Sequence, residues 1–152
     1  MRVLAVLLVT LMLAGCARGP AEQQGTGAPS HDSTAVVVGD QAAPDSIVQF
    51  LLTTAATDFH EHRPPDPARF RDVRVGRVPA PGGETREFLY GQFSTEPEGD
   101  AAPWTDFVTI RTTPYEHWIG AFASEFHRNP AIIWYANGDL SSGLKQKLDA
   151  LR

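Results

Sequence analysis

The stretch Asp58-Phe59-His60-Glu61-His62 holds the densest set of metal-ligating side chain types in the sequence. Imidazoles and carboxylates are ligands for zinc and other divalent cations. On a helix, however, His60 and His62 point about 200° apart and share no face. Asp58 and His62 are four residues apart and can meet. The stretch also closes an apolar helical pattern, and cationic histidines interact favourably with the dipole at a helix C-terminus. It reads first as a cap or surface run. The competing reading is a metal site on Asp58, His60 and His62, or a metal-dependent hydrolase that adds Glu61.

Other reactive residue types are scattered. His117 and His127 lie among Glu116, Glu125 and Arg128. On one helix they would sit about 15 Å apart, too far to share a ligand, so a solvated polar face is expected. Ser94, Ser124, Ser141 and Ser142 lie in no G-x-S-x-G context, so no nucleophile elbow is indicated. Gly82-Gly83 falls between two strand patterns and not ahead of a helix, unlike a phosphate loop. Aromatic residues occur on both parities of the strand patterns. If one sheet face is left uncovered, Phe88, Tyr90 or Phe107 would form a docking surface for a protein or peptide. If a second helix covers that face, all three are core.

The elements that must position these residues are short. Ile47, Phe50, Leu51, Thr54, Ala55 and Phe59 repeat at helical spacing, with Ser46 and Gln49 spaced as a capping box, giving a helix over about 46–61. Pro64-Pro65-Asp66-Pro67 ends it. Three strands are expected next: one through Val73 and Val75 with a bulge at Gly76, one over 87–93, and one over 104–111. Thr113, Pro114 and Glu116 match a helix start, and Tyr115, Trp118, Ile119, Phe122 and Phe126 match its apolar face. Residues 131–135 form a short buried strand, Asn137-Gly138 a turn, and Ser141 or Ser142 caps a last helix with a stripe of Leu140, Leu144, Leu148 and Leu151. The order α-β-β-β-α-β-α gives an α+β fold: an antiparallel sheet of three to four strands with helices packed on it in two layers.

The N-terminus fixes an address. Arg2 precedes an apolar run from Val3 to Leu13, too short for a bilayer core of about 30 Å, which needs roughly 20 residues. A positive start, a short apolar stretch and small residues describe a secretory signal peptide. Its end, Leu13-Ala14-Gly15-Cys16, resembles the lipobox of bacterial lipoproteins. That resemblance implies cleavage after Gly15 and covalent lipid on Cys16, which becomes the first residue. Two or more acyl chains hold a protein on a membrane stably. Residue 17 is not the aspartate that the family associates with inner-membrane retention, so the resemblance implies the periplasmic face of the outer membrane in a Gram-negative host. From Phe50 onward the pattern is similar to uncharacterised bacterial envelope proteins, a likeness that brings no activity with it.

Residues 1–15 are thus signal peptide, 16–44 a lipidated Cys and a tether rich in Gly, Pro, Ala, Ser and Gln, and 45–152 the globular domain. The tether's reach is roughly 30 Å. Its one β-prone run, residues 34–38, is either an edge strand or an apolar patch. With lipid on Cys16, the only cysteine, disulfides and thiol chemistry are excluded. The net charge of −5 becomes about −6 on losing Arg2, and with no basic cluster nucleic acid is not an expected partner. The expected function is non-catalytic binding of another envelope protein by a membrane-anchored periplasmic domain, with no cofactor beyond the lipid. The alternatives are a small-ligand carrier with a pocket between the first helix and the sheet, and the metal-dependent hydrolase.

Overall fold

Leu51, Leu52, Ala55, Ala56 and Phe59 recur every three or four residues, and they are the stripe that the first helix buries. A computed structural model describes residues 39–98 and 103–152. The helix, α1, spans Asp45–Glu61, close to expectation. Its buried stripe is rotated by one residue from the expected one. Val48 and Leu52 turn inward, while Phe50 stays exposed beneath the Arg111 guanidinium, 5.5 Å from its ring centroid. The capping box does not form. Instead the Pro44 carbonyl accepts from the N–H groups of Ile47 and Val48.

Five strands follow α1: β1 Arg69–Pro79, β2 Thr85–Ser94, β3 Thr105–Arg111, β4 Tyr115–Ile119 and β5 Ile133–Trp134. Helix α2 spans Ala121–His127, and α3 spans Ser141–Asp149. The sheet is antiparallel throughout, in the order β4-β3-β2-β1-β5. The α+β class stands, with five strands where three to four were expected.

The additional strand is β4. Tyr115-Glu116-His117-Trp118-Ile119 fits helical and alternating spacing about equally well, and five residues are too few to separate the two periods. Aromatic and β-branched side chains favour the strand. Its register on β3 runs from Phe107 opposite Ile119 to Arg111 opposite Tyr115. Gly120, at φ 71°, then turns the chain into α2.

Both sheet faces are covered. Val73, Val75, Leu89, Phe93 and Phe107 pack under α1 and α3. On the other face Val78, Phe88, Tyr90, Val108 and Ile110 pack with Ala123 and Phe126 of α2, Ile132 and Trp134. Val78 therefore differs in parity from Val75 because it serves the second core, and no bulge at Gly76 is involved. Gly76 has another purpose. A Cβ there would lie 2.5 Å from Cζ of Phe88, so glycine lets that ring lie flat on the strand opposite.

The bulge is three residues earlier. Asp72 and Val73 together face Gly91, and Asp72 has φ 53°. A non-glycine residue in that region costs about 1–3 kcal/mol and persists only where its surroundings hold it. The backbone N–H of Val73 donates to Asp139 Oδ1 at 3.1 Å, and the Leu140 N–H donates to the Val73 carbonyl at 2.8 Å. The same Asp139 oxygen accepts from the Ser141 N–H at 3.0 Å, so this aspartate starts α3 where a serine cap was expected.

Residues 39–44, read as tether from composition, are bonded to the domain. The Gly39 N–H donates to the Trp134 carbonyl, the Gln41 carbonyl accepts from Ala136, and the Ala43 N–H donates to Asn137 Oδ1. Ala43 is buried. The β-prone run 34–38, the expected signal peptide and Cys16 lie outside the described residues.

Candidate functional site

Asp58 lies on the last turns of α1, over the sheet, and gathers groups that the sequence keeps far apart. Its Oδ1 accepts from the Tyr115 hydroxyl at 2.8 Å and lies 3.3 Å from His62 Nδ1. Its Oδ2 lies 3.7 Å from Nε2 of His117. Because β4 is a strand, Tyr115 and His117 project to the same face and reach α1; on a helix they would have diverged. The His117 side chain is 8 % exposed, and its Nδ1 lies 2.8 Å from Thr109 Oγ1 on β3. Its Nε2 is buried without a hydrogen-bond partner. Burial holds the His117 pKa below its usual value; Asp58 pulls it back up and His62 lowers it further. The Tyr115 hydroxyl is raised, first by its hydrogen bond to Asp58 and then by burial.

The proposed ligand trio is divided. His60 turns to the helix exit, where the Arg63 guanidinium lies 2.6 Å from its Nδ1, while Asp58 and His62 meet beside β4. Among the described residues no three His, Cys, Asp or Glu side chains are placed to hold a metal ion. The expectation of a solvated polar face is overturned for His117, which sits in the α1 interface, while His127 stays exposed on α2 with its ring stacked on Tyr90.

Phe88 and Phe107 have no exposed surface and Tyr90 very little. The reason is α2: Phe126 meets Phe88 edge-on at 4.9 Å between centroids, and the helix closes the face that would have been open. Phe107 faces the other way, under Phe59 at 5.2 Å. Neither phenylalanine can dock a partner. Tyr90 is different, because its hydroxyl emerges at the margin of the second core.

There it joins a network around Asp106 of β3. Asp106 Oδ1 accepts from the Tyr90 hydroxyl at 2.8 Å and from Gln92 Nε2 at 2.7 Å, and the Ser124 hydroxyl of α2 donates to Oδ2. Gln92 is the direct cross-strand partner of Asp106. Burial works to raise the Asp106 pKa, but the bonds from Ser124, Gln92 and Tyr90 outweigh it and hold the carboxyl below its usual value. Burial and Asp106 together push the Tyr90 phenol well up. Ser124 thus ties α2 to the sheet through Asp106. Ser94 is buried and accepts from the Glu96 N–H, and Ser141 is tied to Asp139.

The exposed aromatic surface lies where β4 passes into α2. Phe122 is 71 % exposed, Ile119 41 % and Trp118 39 %. The Trp118 ring lies 6.3 Å from Phe122 and 6.4 Å from Phe126, and with Glu125 and Asn129 they line a groove of about 350 Å³. β4 is an edge strand of the sheet, so this groove adjoins a row of backbone groups that no other strand of the described sheet uses. Sequence reading placed Trp118 and Phe122 together on the apolar face of one helix. Helical spacing cannot tell a buried apolar face from an exposed one.

No protein-family model matches the sequence, and comparison with curated proteins and with solved structures finds no similar chain.

Proposed function

We propose that this chain is a lipoprotein, anchored through Cys16 on the periplasmic side of an envelope membrane, whose domain docks another envelope protein without catalysis. The single observation that carries the docking reading is the surface formed by Trp118, Ile119 and Phe122. A side chain as large and apolar as Phe122, 71 % exposed beside two more, is stabilised by being covered. The adjoining edge strand offers a partner main-chain hydrogen bonds, and the aromatic groove offers pockets for its side chains. Support for the anchor is the Leu13-Ala14-Gly15-Cys16 sequence. Among the described residues no helix is long and apolar enough to cross a membrane. In a Gram-negative host, Ala17 favours the outer membrane. The small-ligand carrier has no support between α1 and the sheet, because Leu51, Ala55, Phe59, Phe93 and Phe107 fill that space.

The test is cross-linking in living cells of the lipidated, C-terminally tagged chain, with Phe122→Glu and the control Phe50→Glu alongside. One envelope protein should be captured by the wild type and the control and lost with Phe122→Glu. Capture of no envelope protein, or equal capture by all three chains, sinks the reading.

A further inference from the structure

We propose that the cleft lined by Asp72, Arg74, Tyr90, Gln92, His127 and Trp134 binds a neutral sugar ring. The cleft has a volume of about 290 Å³ and lies on the second face of the sheet, on the side of α2 that carries Ser124 and His127. It is separate from the groove of Trp118 and Phe122.

Its position is built, not incidental. The bulge in β1 sets Asp72 and Val73 opposite one residue, Gly91, and turns Asp72 to the cleft while Val73 stays in the core under α1. Three contacts hold that arrangement: the bonds of Val73 to Asp139 and Leu140, and Gly91 itself, where a Cβ would lie 2.7 Å from Val73 Cγ2. The strained backbone at Asp72 is therefore imposed by its surroundings, and what it delivers is a carboxylate at the cleft rim.

The wall of the cleft is aromatic. The rings of Tyr90 and His127 are stacked at 4.2 Å, and Trp134 lies 5.6 Å from His127. The rim is polar. The Asp72 carboxylate and the Arg74 guanidinium are 4.0 Å apart, both about half exposed. Gln92 and Tyr90 spend one donor each on Asp106, which leaves an amide hydrogen and a phenol lone pair.

This set of groups selects by charge and by shape. A plain anion meets Asp72, and a plain cation meets Arg74. A hydroxyl donates and accepts at once, so two adjacent hydroxyls span the carboxylate and the guanidinium while those ions remain paired. The C–H face of the same ring lies against the exposed imidazole of His127, the open part of that aromatic wall, whose π surface carries negative potential. Tyr90 and Trp134 are buried behind it. A small zwitterion such as an amino acid would have to part Asp72 from Arg74 and would bring no ring to that wall. An aromatic pocket with a few placed polar groups is the usual form of a small-molecule site.

The test uses the full lipidated chain in a detergent without a sugar head group. D-glucose, D-galactose and N-acetyl-D-glucosamine are titrated by saturation-transfer NMR, with glycine and sulfate as the competing classes. At least one sugar should bind and be weakened about tenfold or more by Asp72→Gly and by Arg74→Gln. Asp72→Gly also relieves the backbone, so its thermal stability should equal or exceed that of the wild type, which separates lost binding from lost fold. Binding of none of the three sugars overturns the proposal. So does sugar binding indifferent to Asp72→Gly, or tighter binding of glycine or sulfate.

Discussion

The imidazole of His127 lies parallel to the phenol of Tyr90, 4.2 Å away and inclined by 13°. Burial lowers its pKa; Asp106 opposes the shift, and Arg74 and Arg128 add to it. His117, from the opposite face of the sheet, is lowered as well, first by burial. Two neutral imidazoles thus belong to the folded state at neutral pH. The unfolded chain takes up these protons near pH 6.5, before the folded one does, so unfolding is favoured as pH falls. Stability is at its full value above about pH 6.5 and declines as pH drops toward the folded pKa values. Urea midpoints of His127→Phe, which keeps a stacked ring, and of His117→Gln should each fall less steeply over that window than the wild type's. Parallel slopes would remove both histidines from the account.

Asp106 should govern a second, more acidic limb. Its carboxylate is stabilised by three donors, so its contribution is present above the unfolded value of about 3.9 and lost as pH falls through the lower folded one. Asp106→Asn keeps one acceptor and turns an N–H₂ toward a neighbour that donates. It should cost roughly 1–3 kcal/mol at neutral pH and remove part of the acid limb. Hydrogen exchange locates the damage: amides of α2, tied to the sheet by Ser124, should exchange faster while those of α1 stay protected.

Gly91→Ala and Gly76→Ala test whether the two cores close on the sheet as described. A Cβ at Gly91 would lie 2.7 Å from Val73 Cγ2 and 2.9 Å from Phe107 Cε1, and one at Gly76 2.5 Å from Phe88 Cζ. The rings are buried and cannot swing aside, so each substitution should destabilise by about 1–3 kcal/mol in chemical denaturation. A neutral or stabilising result would mean that these rings do not lie on the strand. At Phe122, by contrast, Phe122→Glu should change stability by no more than about 0.5 kcal/mol, because the ring is mostly in water already.

What the sequence discloses follows from how far each signal extends. α1 is legible because its apolar stripe runs for four turns and ends at consecutive prolines. The strands through Val73, Leu89 and Val108 are legible because strand-formers alternate between turn residues. Residues 115–119 are not: five residues fit both periods, and only pairing with β3 decides. That one misreading hid the meeting of Tyr115 and His117 with Asp58, since both depend on a strand's alternation. The Asp106 network was missed for a related reason. Its members become neighbours only when Gln92 is put in register with Asp106, and a lone Asp in an apolar run carries no such information. Once a register is drawn, an unpaired carboxylate facing a buried core is a visible signal.

The anchor makes the last prediction, and it separates address from fold. If Cys16 carries the lipid, Cys16→Ser removes the acyl chains while leaving every described contact in place. Among the described residues no helix is long and apolar enough to cross a bilayer. The variant should therefore move from the membrane pellet to the soluble periplasmic fraction, and it should unfold at the wild-type temperature within about 1 °C. Wild-type protein metabolically labelled with radioactive palmitate should carry the label, and the variant should not. A Cys16→Ser protein that stays in the pellet would place attachment either on an uncleaved apolar run of residues 3–13 or on a partner docked at Trp118 and Phe122, and release on adding Phe122→Glu would mark the second.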